Sequence, residues 1–269
     1  MEFKIKIGKF VFALFVFFTA TIFSQSWNTE TGVIIIPPNT KVESFADRNG
    51  NHIVYEYNGG IKYARTSASG TVQASNIVIE SEGSNSSLAN IVSDGTNLFA
   101  VYKKNAEIKV AKSTDFGNNW NTNFSSRTID NTTTTSMKTE IKGNDIHVVW
   151  SLYRGGYWPQ DAYYIKFNIQ NASWSNNKNL TENTDYGGEN PTVAVSEGKV
   201  HTAYVDDMYG KPYTRDYIAS NNSWEAQQLV PIYDYPLNTK VLYQKVFVQT
   251  FIQLLPLSFL HQNYPTGFI

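Results

Sequence analysis

Cysteine is absent from this 269-residue chain. That excludes disulfide staples, thiolate metal sites, a cysteine nucleophile and lipid attachment through an N-terminal cysteine. A surplus of charge is missing as well: 22 Lys and Arg against 23 Asp and Glu leave a formal net charge of −1. A nucleic-acid binder would show a basic stripe, so no nucleic-acid partner is expected. Arginine is scarce, confined to Arg48, Arg65, Arg127, Arg154 and Arg215. Helical periodicity is largely lacking, because apolar residues alternate and β-branched types are frequent. Long apolar runs occur only near the two ends, at Phe10–Phe23 and Val246–Leu260.

The first run belongs to a secretory signal peptide over residues 1–26. Lys4, Lys6 and Lys9 form its positive region, and Ser24 to Ser26 offer small residues for cleavage. The alternative, an uncleaved anchor, asks for a span of about 20 residues, and the run is shorter. The mature chain is therefore expected to be secreted or at the cell surface, with no stable membrane span after cleavage. The second run lies in an atypical apolar tail, residues 231–269, which is left unassigned. Gly, Asn and Asp become scarce there, Pro256 interrupts a helix, and Gln249 and Gln253 sit inside the run. The change of character reads as a truncated or abnormal end.

Between them lies a repeat. Alternating strands ending in an aromatic recur at Asn51–Tyr55, Leu98–Tyr102, Ile146–Trp150 and Val200–Tyr204, with anchors 47, 48 and 54 residues apart. Each follows a turn rich in Gly, Asn or Asp, with another short strand before the turn and a third and fourth after the anchor. Four short strands in about 47 residues fit a propeller blade. The expected fold is all-β: a β-propeller of four-stranded antiparallel blades at about 41–80, 88–130, 137–182 and 190–230, within a domain spanning 27–230. Trp27–Ile36 reads as one further outer strand. Four repeats leave the ring incomplete, since closure is what removes exposed edges.

Ser113-Thr-Asp115-Phe-Gly117-Asn-Asn-Trp120 stands between the third and fourth strands of the second repeat. It resembles the Asp box, or bacterial neuraminidase repeat, of the sialidase-like β-propeller superfamily. Asp115 is suited to bond turn N–H groups, Gly117 to take positive φ, and Trp120 to cover the blade. The Gly117 position is Gly70, Asn171 and Asn221 in the other repeats, and the Trp120 position is Trp174 and Trp224 in the last two. The resemblance implies tests for sialidase chemistry: an arginine triad, a Tyr nucleophile with a Glu, an Asp acid/base and a Phe/Tyr-Arg-Ile-Pro motif. The chain has Ile34-Ile-Ile-Pro37, without the Arg, and no three of its arginines fall into the triad by spacing. No catalytic residue is therefore assigned.

Function is sought in the loops between second and third strands, on the opposite face. They are short in the first two repeats and long in the last two, where they bring Arg154, Tyr157, Trp158, Asp161, Asp206, Asp207, Tyr209 and Lys211. Aromatic faces flanked by charged groups suit a sugar, and long loops on a rigid scaffold commonly carry function. The leading expectation is a non-catalytic module recognising extracellular glycan or protein through these residues, leaning against an enzyme. One alternative is an exo-acting glycoside hydrolase of sialidase-like type, with Asp161 paired to Asp206 or Asp207. Another is a truncated or structural fragment without activity. No cofactor and no metal are expected: Asp206 and Asp207 fall short of the six to eight oxygens of a Ca²⁺ site. His52, His147 and His201 share one strand position, which marks them as packing residues.

Overall fold

The computed structural model describes residues 34, 36–38, 40–129, 133–153, 160–182, 187–206 and 210–230. The signal-peptide segment, the strand read at Trp27–Ile36 (apart from Ile34 and Ile36) and the tail from 231 lie outside these residues. The described chain folds into four antiparallel sheets, each strand paired with its neighbour in sequence. The first holds β1 (Val42–Asp47), β2 (Gly50–Tyr57), β3 (Gly60–Thr66) and β4 (Val72–Glu80). The second holds β5 (Ser86–Ser93), β6 (Leu98–Lys104), β7 (Glu107–Ser113) and β8 (Asn121–Thr128). The third holds β9 (Thr133–Lys142), β10 (Asp145–Tyr153) and β11 (Gln160–Asn168), closed by a split fourth strand, β12 (Ser173–Trp174) and β13 (Lys178–Asn179). The fourth repeats that plan with β14 (Gly188–Ser196), β15 (Lys199–Asp206), β16 (Pro212–Ile218), β17 (Ser223–Trp224) and β18 (Gln228–Leu229).

The first strands are innermost. β1 packs on β5, β5 on β9 and β9 on β14, so the sheets follow one another around an axis as propeller blades do. Lys138 of β9 forms an ion pair with Glu43 of β1, linking the first and third sheets near that axis. The inner strands begin earlier than alternation suggests, at Ser86, Thr133 and Gly188. Register shifts at Ser87/Asn90, Ser151/Leu152 and Glu189/Thr192 explain the difference. A bulge inverts the alternation on which a sequence reading depends.

The period of aromatic anchors has a physical cause. Tyr55, Tyr102, Trp150 and Tyr204 are all at most 1% exposed. Tyr102 donates to Glu80 Oε1 of the preceding sheet at 2.7 Å, and Tyr204 donates to the Leu180 carbonyl of its own preceding sheet at 2.9 Å. A buried phenol needs a partner, and at these two anchors the partner stitches one sheet to the last, whereas Tyr55 donates to Asn76 Oδ1 of its own sheet at 2.7 Å. Tryptophans at the start of the fourth strands add a second stitch. Trp120 meets Tyr63 edge-on at 5.3 Å, Trp224 meets Tyr164 at 4.9 Å, and Trp174 Nε1 donates to Ser125 Oγ at 2.8 Å.

Two of the repeated histidines complete this packing. His52 Nδ1 lies 2.7 Å from the Tyr63 hydroxyl and His147 Nδ1 lies 2.8 Å from that of Tyr164. Burial disfavours the imidazolium and pushes His147 down to about 4, with the Lys166 charge acting the same way and Asp145 opposing it. The unfolded chain takes up this proton near pH 6.5 and the folded chain only near 4, so acid favours unfolding in between. Folding stability should therefore fall by roughly 3 kcal/mol as the pH drops through that window. Urea titrations of the parent and His147→Phe at pH 7 and pH 4 check this: the pH-dependent gap should shrink in the variant.

Candidate functional site

The third-to-fourth strand turns and the first-to-second strand turns share one end of the sheets. At that end the Ser113–Trp120 turn is a closed network. Asp115 Oδ1 accepts from Ser113 Oγ at 2.8 Å and from Asn119 N at 2.9 Å, while Oδ2 accepts from Asn119 Nδ2 at 2.6 Å. The bonds from Asn119, first its side chain, hold the Asp115 carboxyl below the usual carboxylate range. Phe116 and Gly117 take φ of 59° and 83°. The Phe116 carbonyl accepts from Tyr63 Oη at 3.2 Å and Arg65 Nη1 at 2.8 Å, so the turn docks on the first sheet. In the last two sheets positive φ falls on Ala172 and Asn222, one residue later than the aligned Asn171 and Asn221. These side chains accept instead: Asn171 Oδ1 from Ser173 N at 3.2 Å, and Asn221 Oδ1 from Ser223 Oγ at 2.9 Å. All of these contacts serve architecture.

The other end carries the long loops. Arg154, Tyr157, Trp158, Asp207 and Tyr209 lie outside the described residues; Asp161, Asp206 and Lys211 lie inside. Asp206 and Lys211 are brought together by the backbone, since Asp206 N donates to the Lys211 carbonyl at 2.8 Å and Gly210 N to that of Asp206 at 3.0 Å. Asp206 ends β15 on the strand face that carries Tyr204 and turns toward the third sheet; it is 3% exposed. Asp161 is held elsewhere. It accepts from Thr181 Oγ1 at 3.0 Å, with longer approaches from Asn179 Nδ2 at 3.4 Å and Tyr163 Oη at 3.5 Å. Its strand face is that of Tyr163, stacked on Trp150. The two carboxylates therefore belong to different sheets: Thr181, bonded to Asp161, lies against Gly188, the cross-strand partner of Asp206.

The sequence reading missed a carboxylate at this end of β14, the strand paired with that of Asp206. Glu189 pairs with Val205 and Gly188 with Asp206, so the two acids occupy adjoining rungs of one ladder and leave it from opposite faces. Gln160 fixes Glu189: Gln160 Nε2 donates to Glu189 Oε1 at 3.0 Å, while Thr135 Oγ1 donates to Gln160 Oε1 at 2.7 Å. The approach needs two glycines. A Cβ on Gly187 would lie 1.5 Å from the Gln160 carbonyl oxygen, and one on Gly188 2.7 Å from Thr181 Cγ2. The sequence signal was the Gly187-Gly188-Glu189 run, masked because the bulge after Glu189 puts it outside the alternating stretch. Among the described residues no three His, Cys, Asp or Glu side chains gather as a metal site.

No family model matches the chain, and no curated protein matches it. Solved structures do. A thermostable family-43 glycoside hydrolase is 11% identical with a TM-score of 0.48, over 78% of this chain and 77% of that one. Zg3597, a family 117 glycoside hydrolase from Zobellia galactanivorans, is 10% identical with a TM-score of 0.48, over 77% and 72%. A mutant NanB sialidase from Streptococcus pneumoniae is 17% identical with a TM-score of 0.42, over 60% of this chain but 26% of its own length. At these identities the likeness is one of fold. The expectation of a non-catalytic recognition module, leaning against an enzyme, is corrected to this extent: the fold neighbours are glycoside hydrolases, so the fold gives no ground for leaning against an enzyme.

Proposed function

We propose that this chain is a glycoside hydrolase working at the loop end of the third and fourth sheets, with Glu189 and Asp206 as its carboxylate pair. One observation carries the reading: these acids flank the loop end of the β14–β15 ladder, one on each face, at the root of the long β15–β16 loop. Glycosidic cleavage asks for two carboxyl groups, one protonating the leaving oxygen and one activating water or attacking the anomeric carbon. Gln160 and Thr135 hold Glu189 from the neighbouring sheet, which favours preorganisation over a free loop acid. In this reading Tyr157, Trp158 and Tyr209 supply stacking faces for sugar rings. Arg154, Asp207 and Lys211 hydrogen-bond hydroxyls or acidic substituents. An extracellular glycan is the substrate class, in keeping with the signal-peptide reading of residues 1–26. The Ser113–Trp120 turn, read as an Asp box, speaks for lineage within sialidase-like propellers rather than for sialidase chemistry.

The test is turnover of a panel of 4-nitrophenyl pyranosides and furanosides, both anomers, by the folded chain. Release of nitrophenol from at least one member, absent in a Glu189→Gln/Asp206→Asn double variant, is expected. A folded chain that releases none from any member overturns the reading.

A further inference from the structure

We infer that Ser196, His201 and Asp216 form a second, separate catalytic constellation: a serine acyl-transfer site for small activated esters, at the turn end of the fourth sheet. Ser196 closes β14, His201 lies in β15 and Asp216 in β16, on a shared sheet face. Ser196 Oγ stands 3.0 Å from His201 Nε2, and His201 Nδ1 stands 2.9 Å from Asp216 Oδ2. The nucleophile, base and orienting acid of a serine hydrolase need this order of contacts at this range.

The tautomer follows from the partners. Ionised Asp216 only accepts, so the neutral imidazole carries its proton on Nδ1. Nε2 then presents its lone pair to the Ser196 hydroxyl, which donates. In the first sheet the same ring is reversed: His52 Nε2 faces Asp47 Oδ1 at 3.2 Å and Nδ1 faces the Tyr63 hydroxyl at 2.7 Å. His52 thus packs against a phenol whose proton goes to the Phe116 carbonyl, and His201 is set to deprotonate an alcohol.

Strand register accounts for the histidine but not for its neighbours. The residues paired with His52, Phe99 and His147 are Arg65, Lys112 and Lys166, a cation each time. Only in the fourth sheet is the paired residue an acid, Asp216. The position that holds Ser196 holds Asp47 in the first sheet and Lys142 in the third, each paired with the first residue of the next strand. Exposure differs too. The His52 side chain is 1% exposed, whereas those of His201 and Asp216 are 16% and 21% exposed. The His201 imidazole is therefore open to solvent in part, as the two buried rings are not.

In the acyl step Ser196 Oγ bonds to the ester carbonyl carbon while its proton passes to His201 Nε2. The carbon–oxygen bond to the leaving group then breaks, and that alkoxide or phenoxide takes the proton. Water repeats the exchange, giving the carboxylic acid and restoring Ser196. Esters with good leaving groups suit a half-open sheet face that encloses its substrate little.

The experiment is reaction of the full folded chain with a fluorophosphonate, read by tandem mass spectrometry. One phosphonyl adduct on Ser196, with loss of fluoride, is expected. His201→Gln should slow labelling by about 100-fold, the worth of a general base. Ser196→Ala should abolish the adduct and the hydrolysis of 4-nitrophenyl acetate at an unchanged melting temperature. A folded chain without an adduct at Ser196, or one labelled as fast without His201, overturns the proposal.

Discussion

Glu189→Gln and Asp206→Asn are each expected to lower kcat on an aryl glycoside by about 1,000-fold, whereas Asp161→Asn should cost less than about tenfold. A thousandfold loss is roughly 4 kcal/mol of transition-state stabilisation, which general acid–base or nucleophilic action supplies and substrate positioning alone seldom does. The contrast rests on geometry. Glu189 and Asp206 belong to one ladder at the root of the β15–β16 loop, while Asp161 sits in β11 of the neighbouring sheet, its carboxylate bonded to Thr181. Leaving-group dependence assigns the roles. The variant lacking the acid should keep most of its rate on a substrate with an activated phenolate, because that oxygen needs no proton. The variant lacking the nucleophile or base should recover with added azide, which replaces the missing attack. Equal losses at all three positions would show that the loop end tolerates no change of charge, and the carboxylate pair would fall. Gln160→Ala adds a graded point: it removes the bond that holds Glu189 but leaves the acid, so about tenfold is expected.

The parts legible in the sequence were those set by local alternation. Tyr55, Tyr102, Trp150 and Tyr204 stood out because each strand that ends in them alternates cleanly and the turn before it is polar. Those strands are β2, β6, β10 and β15, and the third strands followed by the same rule. What escaped notice was non-local. A bulge between Glu189 and Thr192 broke the pattern at the start of β14, so Glu189 looked like a loop residue. Its bond to Gln160 spans 29 residues, a distance over which period carries no information. Asp161 and Asp206 looked equivalent as loop acids because spacing cannot say which strand face a residue takes once a loop changes length. The same limit hid Ser196 and Asp216. Aligning repeats showed His201 as one of three alike, and its hydrogen-bond partners, cross-strand neighbour and exposure are what distinguish it from His52.

Gly117→Ala should destabilise the fold by about 4 kcal/mol, far more than a glycine of similar backbone loses elsewhere. Two costs add at this position. Its φ of 83° lies in the left-handed region, where a Cβ costs about 1–2 kcal/mol. The second cost is contact: a Cβ there would stand 2.2 Å from Tyr63 Cε1 and 2.4 Å from Cζ, so the ring must move. Tyr63 has nowhere cheap to go. It is wholly buried, its hydroxyl bonds His52 and the Phe116 carbonyl, and Trp120 packs on its ring. Displacing it opens the seam between the first and second sheets. Gly95→Ala isolates the backbone cost, because Gly95 has φ of 90° and nothing within 4 Å of its Cβ position; about 1 kcal/mol is expected. A Tyr63→Ala/Gly117→Ala double variant should then be destabilised by less than the sum of its singles, since the space left by the ring admits the methyl. Chemical denaturation of the four variants and the parent reads these differences directly. Equal costs at Gly117 and Gly95 would mean that the turn contributes only its own backbone. The larger cost at Gly117 would identify the Ser113–Trp120 turn as the clasp that holds one sheet against the next.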